Sequence, residues 1–235
     1  MERGRIIALL NPTGGAGRTA TALELGRRLA SGRRRVLLLD LTGRGELPRL
    51  LPGGGPAATG VPGEPFAAPL GALARPLAPG LDLAAPGGDL LRRLDGAVGF
   101  LWLRRGMAAL SHDVALIDTG CDGASADLAA LVAGWALLPS VGMRHCASGA
   151  ERALARLVTL ATLGPAARPL ALVPHRMPAG LGCAERLAGL GCRHGVPVAV
   201  PIPEGDGTRA VDDAYRTLAV HVAAALDRLD TGDAR

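Results

Sequence analysis

The chain has 235 residues, enough for one large domain, and 49% of it is apolar, which excludes wholesale disorder. Trp102, Trp135, Tyr215, Phe66 and Phe100 are its only aromatic side chains, too few for a platform that stacks single-stranded bases. All 26 basic residues are Arg, and the formal charge of +5 permits salt-sensitive attraction to nucleic acid or anionic lipid without requiring either. Because Ala, Gly, Pro and Arg abound together, a GC-rich coding bias accounts for much of the Arg-for-Lys usage. Cys121, Cys146, Cys183 and Cys192 lack CxxC spacing and read as scattered thiols. The opening MERGRIIALLNPTGG has too short an apolar run for a signal peptide. No apolar stretch reaches the roughly 18 residues of a membrane span, so the expected location is the cytoplasm.

Arg5 to Leu10 (RIIALL) predicts a strand running into the turn-forming NPTGGAG. Thr19 to Ala30 follows with Ala22, Leu25, Leu29 and Ala30 at helical spacing. Arg35 to Leu41 (RVLLLDL) predicts a second, fully buried strand, and apolar runs without alternation on either side of a helix point to parallel neighbours. Residues 52–80 carry Pro or Gly at 14 of 29 positions and read as a long flexible excursion within a single domain spanning 1–235. Strands are expected at Leu81 to Ala84, Asp113 to Asp118, Trp135 to Pro139, Leu170 to Val173 and Val196 to Ile202. Between them, helices are expected from Asp89 into the 100s, over Ala126 to Ala133, over Ser148 to Leu160 with Ala150, Leu154, Leu157 and Val158 on one face, and over Ala184 to Leu190. Arg209 to Leu229 closes the chain as a helix with Val211, Leu218, Val222, Ala225 and Leu229 on its core side. The alternation implies one doubly wound, mostly parallel α/β domain.

Ligands of such sheets bind beyond the carboxyl ends of the strands. Three features fall there: the GGAGRT turn after the first strand, Asp40 after the second and Asp118 after the third. A Gly-rich turn feeding a helix presents backbone N–H groups to an anion at the positive end of the helix dipole. Thr19, at the start of that helix, offers a hydroxyl to a Mg²⁺ held by phosphate, and a strand-end carboxylate can hold the same ion through water.

N-P-T-G-G-A-G-R-T-A, residues 11–20, resembles the deviant phosphate loop of the ParA/MinD family of P-loop ATPases, which typically reads N-x-K-G-G-x-G-K-T-T. VLLLDLTGRGEL is similar to the family's second motif, GLDLAAPGGDL to its LDLIPA segment and DVALIDTG to its IDTPP motif. PVAVPIPEGDGTRAVDDA is similar to a late segment, so the resemblance runs along nearly the whole chain. It implies ATP and Mg²⁺ as cofactors, an ATP-dependent homodimer, and a switch that organises cargo on nucleoid or membrane. It places the nucleotide on Thr13, Gly14, Gly15, Ala16, Gly17, Arg18, Thr19 and Ala20. The metal falls on Thr19, Asp118 and Asp40, with Asp40 also the catalytic acid.

Three positions depart from the family pattern. The signature Lys that reaches the partner subunit's nucleotide falls on Thr13, the loop Lys on Arg18, and the second acid of the D-x-D motif on Thr42. Coding bias explains Arg18 but neither Thr13 nor Thr42, so weak or absent hydrolysis is expected. One subgroup, the BcsQ-like accessory proteins of bacterial cellulose secretion, resembles this chain in lacking the loop Lys. It implies an alternative: a non-catalytic scaffold for a protein partner. The five His form no metal-ligating pair, and Arg144, His145 and Cys146 form a weak candidate thiol site. Arg27, Arg28 and Arg33 to Arg35 read as a solvated helix end rather than a DNA patch.

Overall fold

The computed structural model describes residues 1–51, 69–87, 96–121, 123–142, 146–177, 182–205 and 207–230. The first strand, β1 (Ile6–Leu9), leads through the glycine loop into helix α1 (Arg18–Ser31). There follow β2 (Val36–Leu41), the one-turn helix α2 (Glu46–Arg49), β3 (Ala74–Ala78), β4 (Leu81–Ala84) and helix α3 (Gly96–Ala108). The rest is β5 (Val114–Thr119), α4 (Gly123–Val132), β6 (Trp135–Val141), α5 (Cys146–Leu163), β7 (Arg168–His175), α6 (Cys183–His194) and α7 (Arg209–Asp230).

The strands form one sheet in the order β3-β4-β2-β5-β1-β6-β7. Every neighbouring pair is parallel except β3 and β4. Because side chains alternate across a strand, the unbroken apolar runs feed two cores. Ile6 and Ala8 of β1 join Leu103 and Met107 of α3, Leu154 and Leu157 of α5, and Leu187 of α6 on one face. Ile7 and Leu9 join Leu25 and Leu29 of α1 with Leu218 and Val222 of α7 on the other. This is the expected doubly wound sheet, and it brings the carboxyl ends of β1, β2 and β5 side by side.

Three sequence expectations need correction. Residues 52–68 and 88–95 lie outside the described residues, but the remainder of the expected excursion is ordered. Buried Leu70 and Leu73 anchor a 3-10 turn against the α3 core, and β3 adds an antiparallel edge strand. Pro76 fits there because an edge strand need not donate on both sides, and the ladder shifts register beside it. Conversely, Val196 to Ile202 makes only two isolated bridges, Leu172 to Val198 and His175 to Ile202, since Pro197 and Pro201 cannot donate to a ladder. Val158 is 66% exposed while Ala150, Leu154 and Leu157 are buried. One residue past Leu157 turns the side chain by about 100° from the core stripe. Among the described residues no helix is long and apolar enough to cross a membrane.

Candidate functional site

The loop between β1 and α1 is fastened at both ends before it offers anything to a ligand. The Asn11 side-chain amide donates to the Pro139 carbonyl at the end of β6 (2.7 Å), and its carbonyl oxygen accepts the Thr13 N–H (2.8 Å). Thr119 at the end of β5 donates its hydroxyl to the Leu9 carbonyl at 2.7 Å. Gly149 of α5 allows this close packing, because a Cβ there would sit 2.6 Å from both Asn11 Oδ1 and Thr13 Oγ1. Gly17 has φ 90°, the left-handed conformation that favours glycine, and a Cβ on it would meet the His175 ring at 3.0 Å. His175 is buried and shares a 2.9 Å hydrogen bond between Nε2 and the Thr21 hydroxyl. Burial, helped by the Arg176 charge, pushes its pKa down to about 4, so the ring under the loop is neutral.

Arg18 opens α1, yet its head turns back beneath the loop. Nε donates to the Thr119 carbonyl (2.8 Å), Nη1 to the carbonyls of Asn11 and Thr13 (3.1 Å for Thr13), and Nη2 to Cys121 Sγ (3.1 Å). All but one of its five N–H groups are therefore engaged within the protein. Thr13 is held as well, its backbone by Asn11 and its hydroxyl by Arg152 of α5 at 3.4 Å.

The two strand-end aspartates are direct partners in the β2–β5 register. Asp40 is buried, and both of its oxygens are hydrogen-bonded. Its Oδ1 accepts the Thr42 N–H (2.9 Å) and hydroxyl (2.6 Å), and its Oδ2 accepts the Leu47 N–H (2.9 Å) in the first turn of α2. Thr42 thus caps its neighbour. Asp118 has no solvent exposure, and among the described residues neither of its carboxylate oxygens meets a donor in hydrogen-bonding geometry. Burial raises its pKa to about 7. The nearby Thr19 hydroxyl and the Arg18 charge oppose that rise, while the Asp40 and Glu46 charges add to it. Thr19 carries a single O–H, and it donates this to Glu46 Oε2 at 3.1 Å.

Gly15, Ala16, Gly17, Arg18, Thr19 and Ala20 border an open cleft of about 410 Å³, whose far walls are Glu46, Arg49 and Leu50 on one side and Val141, His175 and Arg176 on the other. Thr13 and Gly14 lie outside this lining, as do Asp40 and Asp118, which sit beneath it at the sheet edge. The sequence reading did not single out Glu46 or Arg176. Both follow strand ends at the same edge as the loop, and Arg176 also holds φ 48°, an uncommon conformation for a residue other than glycine. The candidate thiol site stays undescribed, since 143–145 lie outside the described residues. Cys121 is exposed beside Arg18, and His112 pairs with Asp82 at 2.8 Å.

An orphaned, fully buried carboxylate beside a helix-opening hydroxyl suits a hard divalent cation. No three Asp, Glu, His or Cys side chains among the described residues stand close enough to cage a metal by themselves. The fit is therefore to an ion that draws much of its shell from phosphate and water, as Mg²⁺ does.

No protein-family model matches the chain, and no curated protein does. Solved structures match it over almost its full length. Cobyrinic acid a,c-diamide synthase from Mycobacterium smegmatis with bound ADP and magnesium superposes with a TM-score of 0.81 at 25% identity, covering 97% of this chain and 96% of that one. The ATP complex of a variant of McdA from Cyanothece gives a TM-score of 0.78 at 17% identity, covering 98% of each chain. A putative plasmid partition protein from Borrelia burgdorferi bound to AMPPNP gives 0.73 at 14% identity, covering 97% of this chain and all (100%) of that one. The chain has the fold of the P-loop NTPases. Within that class the fold is ParA/MinD-like.

Proposed function

We propose that the chain is a ParA/MinD-type nucleotide switch that binds ATP with Mg²⁺ at residues 13–20, self-associates in that state to organise a cellular cargo, and hydrolyses ATP slowly or not at all. The observation that carries the reading is Asp118, a buried carboxylate without a partner at the foot of a phosphate-type loop. The ATP analogue, ADP and magnesium named for similar structures support it.

In this reading the backbone N–H groups of the loop and the first turn of α1 hold the phosphates, aided by the helix dipole. Thr19 and Asp118 hold the cation, directly or through water, and Asp40 keeps the β2 exit in place by gripping Thr42 and Leu47. Mg²⁺ would supply neutralisation of phosphate charge. Slow turnover follows from the same geometry. Thr13 is short and tethered, Thr42 has its hydroxyl on Asp40, and Arg18 has its donors on loop carbonyls. With four of its five N–H groups engaged, Arg18 is poorly placed to meet charge developing on a transferred phosphate, a contact that can be worth about 10³ or more in rate.

The engaged Arg18 also favours the second reading, a BcsQ-like scaffold that keeps the fold and works through a protein partner. Non-specific DNA binding rests on net charge alone. Arg28 pairs with Glu24 and Asp212, Arg27 with Glu24, Arg34 with Asp227 and Arg35 with Asp113. Calorimetric titration with ATP and Mg²⁺, with mass followed by light scattering in the same samples, separates the readings. Saturable binding with a monomer-to-dimer shift supports the switch; no binding at millimolar ATP overturns it and leaves the scaffold.

A further inference from the structure

Glu46 is the one acidic wall of the cleft, and neither the strand-end rule nor the motif comparison assigns it a task. It stands in the first turn of α2, four residues beyond Thr42, and α2 is positioned by the bond from Leu47 N–H to Asp40. Among the described residues no Arg or His lies within ion-pair distance of the Glu46 carboxylate, although Arg49 shares its short helix. Its one hydrogen bond among the described residues is with the Thr19 hydroxyl, the group that would touch a phosphate-bound cation in the reading above.

We propose that Glu46 supplies a carboxylate ligand to the divalent cation of this cleft, standing in for the acid that Thr42 does not provide. The inference rests on the nucleotide reading above and adds a residue to it. Three observations meet at this point. The Thr19 Oγ1 to Glu46 Oε2 separation is 3.1 Å. Two oxygens on adjacent corners of an octahedron with metal–oxygen distances of 2.0–2.1 Å stand about 3 Å apart, so the pair already has the spacing of neighbouring ligands. Asp118, wholly buried, lies near the same Thr19 hydroxyl, and its charge and that of Glu46 repel. Two carboxylates held near one hydroxyl concentrate negative charge there, which the Arg18 charge offsets only in part. An arriving cation takes that charge up. When it binds, Thr19 turns its oxygen lone pair to the ion and gives up its bond to Glu46, so hydroxyl and carboxylate become ligands together.

The test measures Mn²⁺ affinity by electron paramagnetic resonance, with and without AMPPNP, on wild type, Glu46→Gln and Glu46→Asp, and AMPPNP affinity separately in EDTA. Thermal melts in EDTA establish that each variant is folded. The expected result is a loss of tenfold or more in Mn²⁺ affinity for Glu46→Gln, partly restored in Glu46→Asp, with AMPPNP affinity in EDTA unchanged. If wild type binds AMPPNP and folded Glu46→Gln matches it in Mn²⁺ affinity, the assignment of Glu46 is overturned while the nucleotide reading stands. A wild-type chain that takes up neither Mn²⁺ nor AMPPNP overturns both.

Discussion

The exits of β2 and β5 are neighbours in register, and each ends in a buried aspartate, yet they are built in opposite ways. At the β2 exit Asp40 takes three hydrogen bonds from Thr42 and Leu47, which fold the loop and start α2. At the β5 exit Asp118 takes none and is left with a pKa near 7 by burial. A carboxylate whose lone pairs are filled by its own chain is a structural element. One buried without a donor opposes folding, and so calls for a reason outside the stability of the fold. The loop after β1 resembles the first pattern in the opposite charge, since three of the Arg18 N–H groups are held by carbonyls and a fourth by Cys121 Sγ.

Four substitutions sharpen or break this contrast. Removing the engaged cation has the largest effect. Arg18→Ala leaves the carbonyls of Asn11, Thr13 and Thr119 without their donor, and should lower stability by about 4 kcal/mol in urea denaturation. A loss below about 1 kcal/mol would mean that the guanidinium is free to serve a ligand.

His175 gives the next effect. Its pKa is about 4 when folded against 6.5 for the ordinary group, so between those values the unfolded chain binds more protons. Stability is therefore intact above about pH 6.5 and is lost as pH falls through 4, by up to about 3 kcal/mol. In His175→Gln this part of the acid slope disappears from the pH dependence of the melting temperature, whereas an unchanged slope would place the proton elsewhere.

Asp40→Asn should cost about 2 kcal/mol, because an amide N–H would face the Leu47 N–H where a carboxylate oxygen now accepts it. Asp118→Asn should act in the opposite direction. In EDTA at pH 8 it replaces a buried charge without donors by a neutral group, and stability rises by roughly 2 kcal/mol. Equal destabilisation by both substitutions would erase the distinction between the two exits.

Much of this was legible in the sequence. Apolar runs gave β1, β2 and β5 to within about two residues, because a strand buried on both faces has little other composition open to it. The strand-end rule located Asp40 and Asp118 at the ligand edge before their register was visible. It could not distinguish a filled carboxylate from an empty one. That depends on Thr42 and Leu47 folding back onto Asp40, and on which of two distant strands lies beside which.

The setting of Arg18 was equally hidden, since a loop cation beside a phosphate-type turn gives no hint that a carbonyl 101 residues away, at Thr119, will hold it. Glu46 was hidden by its place in a short, unpatterned helix. Proline content concealed β3 as a loop and Pro197 and Pro201 were overlooked at 196–202, opposite errors from the same residue type at two sheet edges.

The most direct test is the thermal midpoint of wild type and Asp118→Asn at pH 8, each in EDTA and in Mg²⁺ with AMPPNP. The account predicts that the variant melts higher in EDTA and gains nothing from the ligand, while wild type gains enough to narrow or reverse the gap. A variant that is less stable than wild type in EDTA, or that gains as much from Mg²⁺ and AMPPNP, would contradict it.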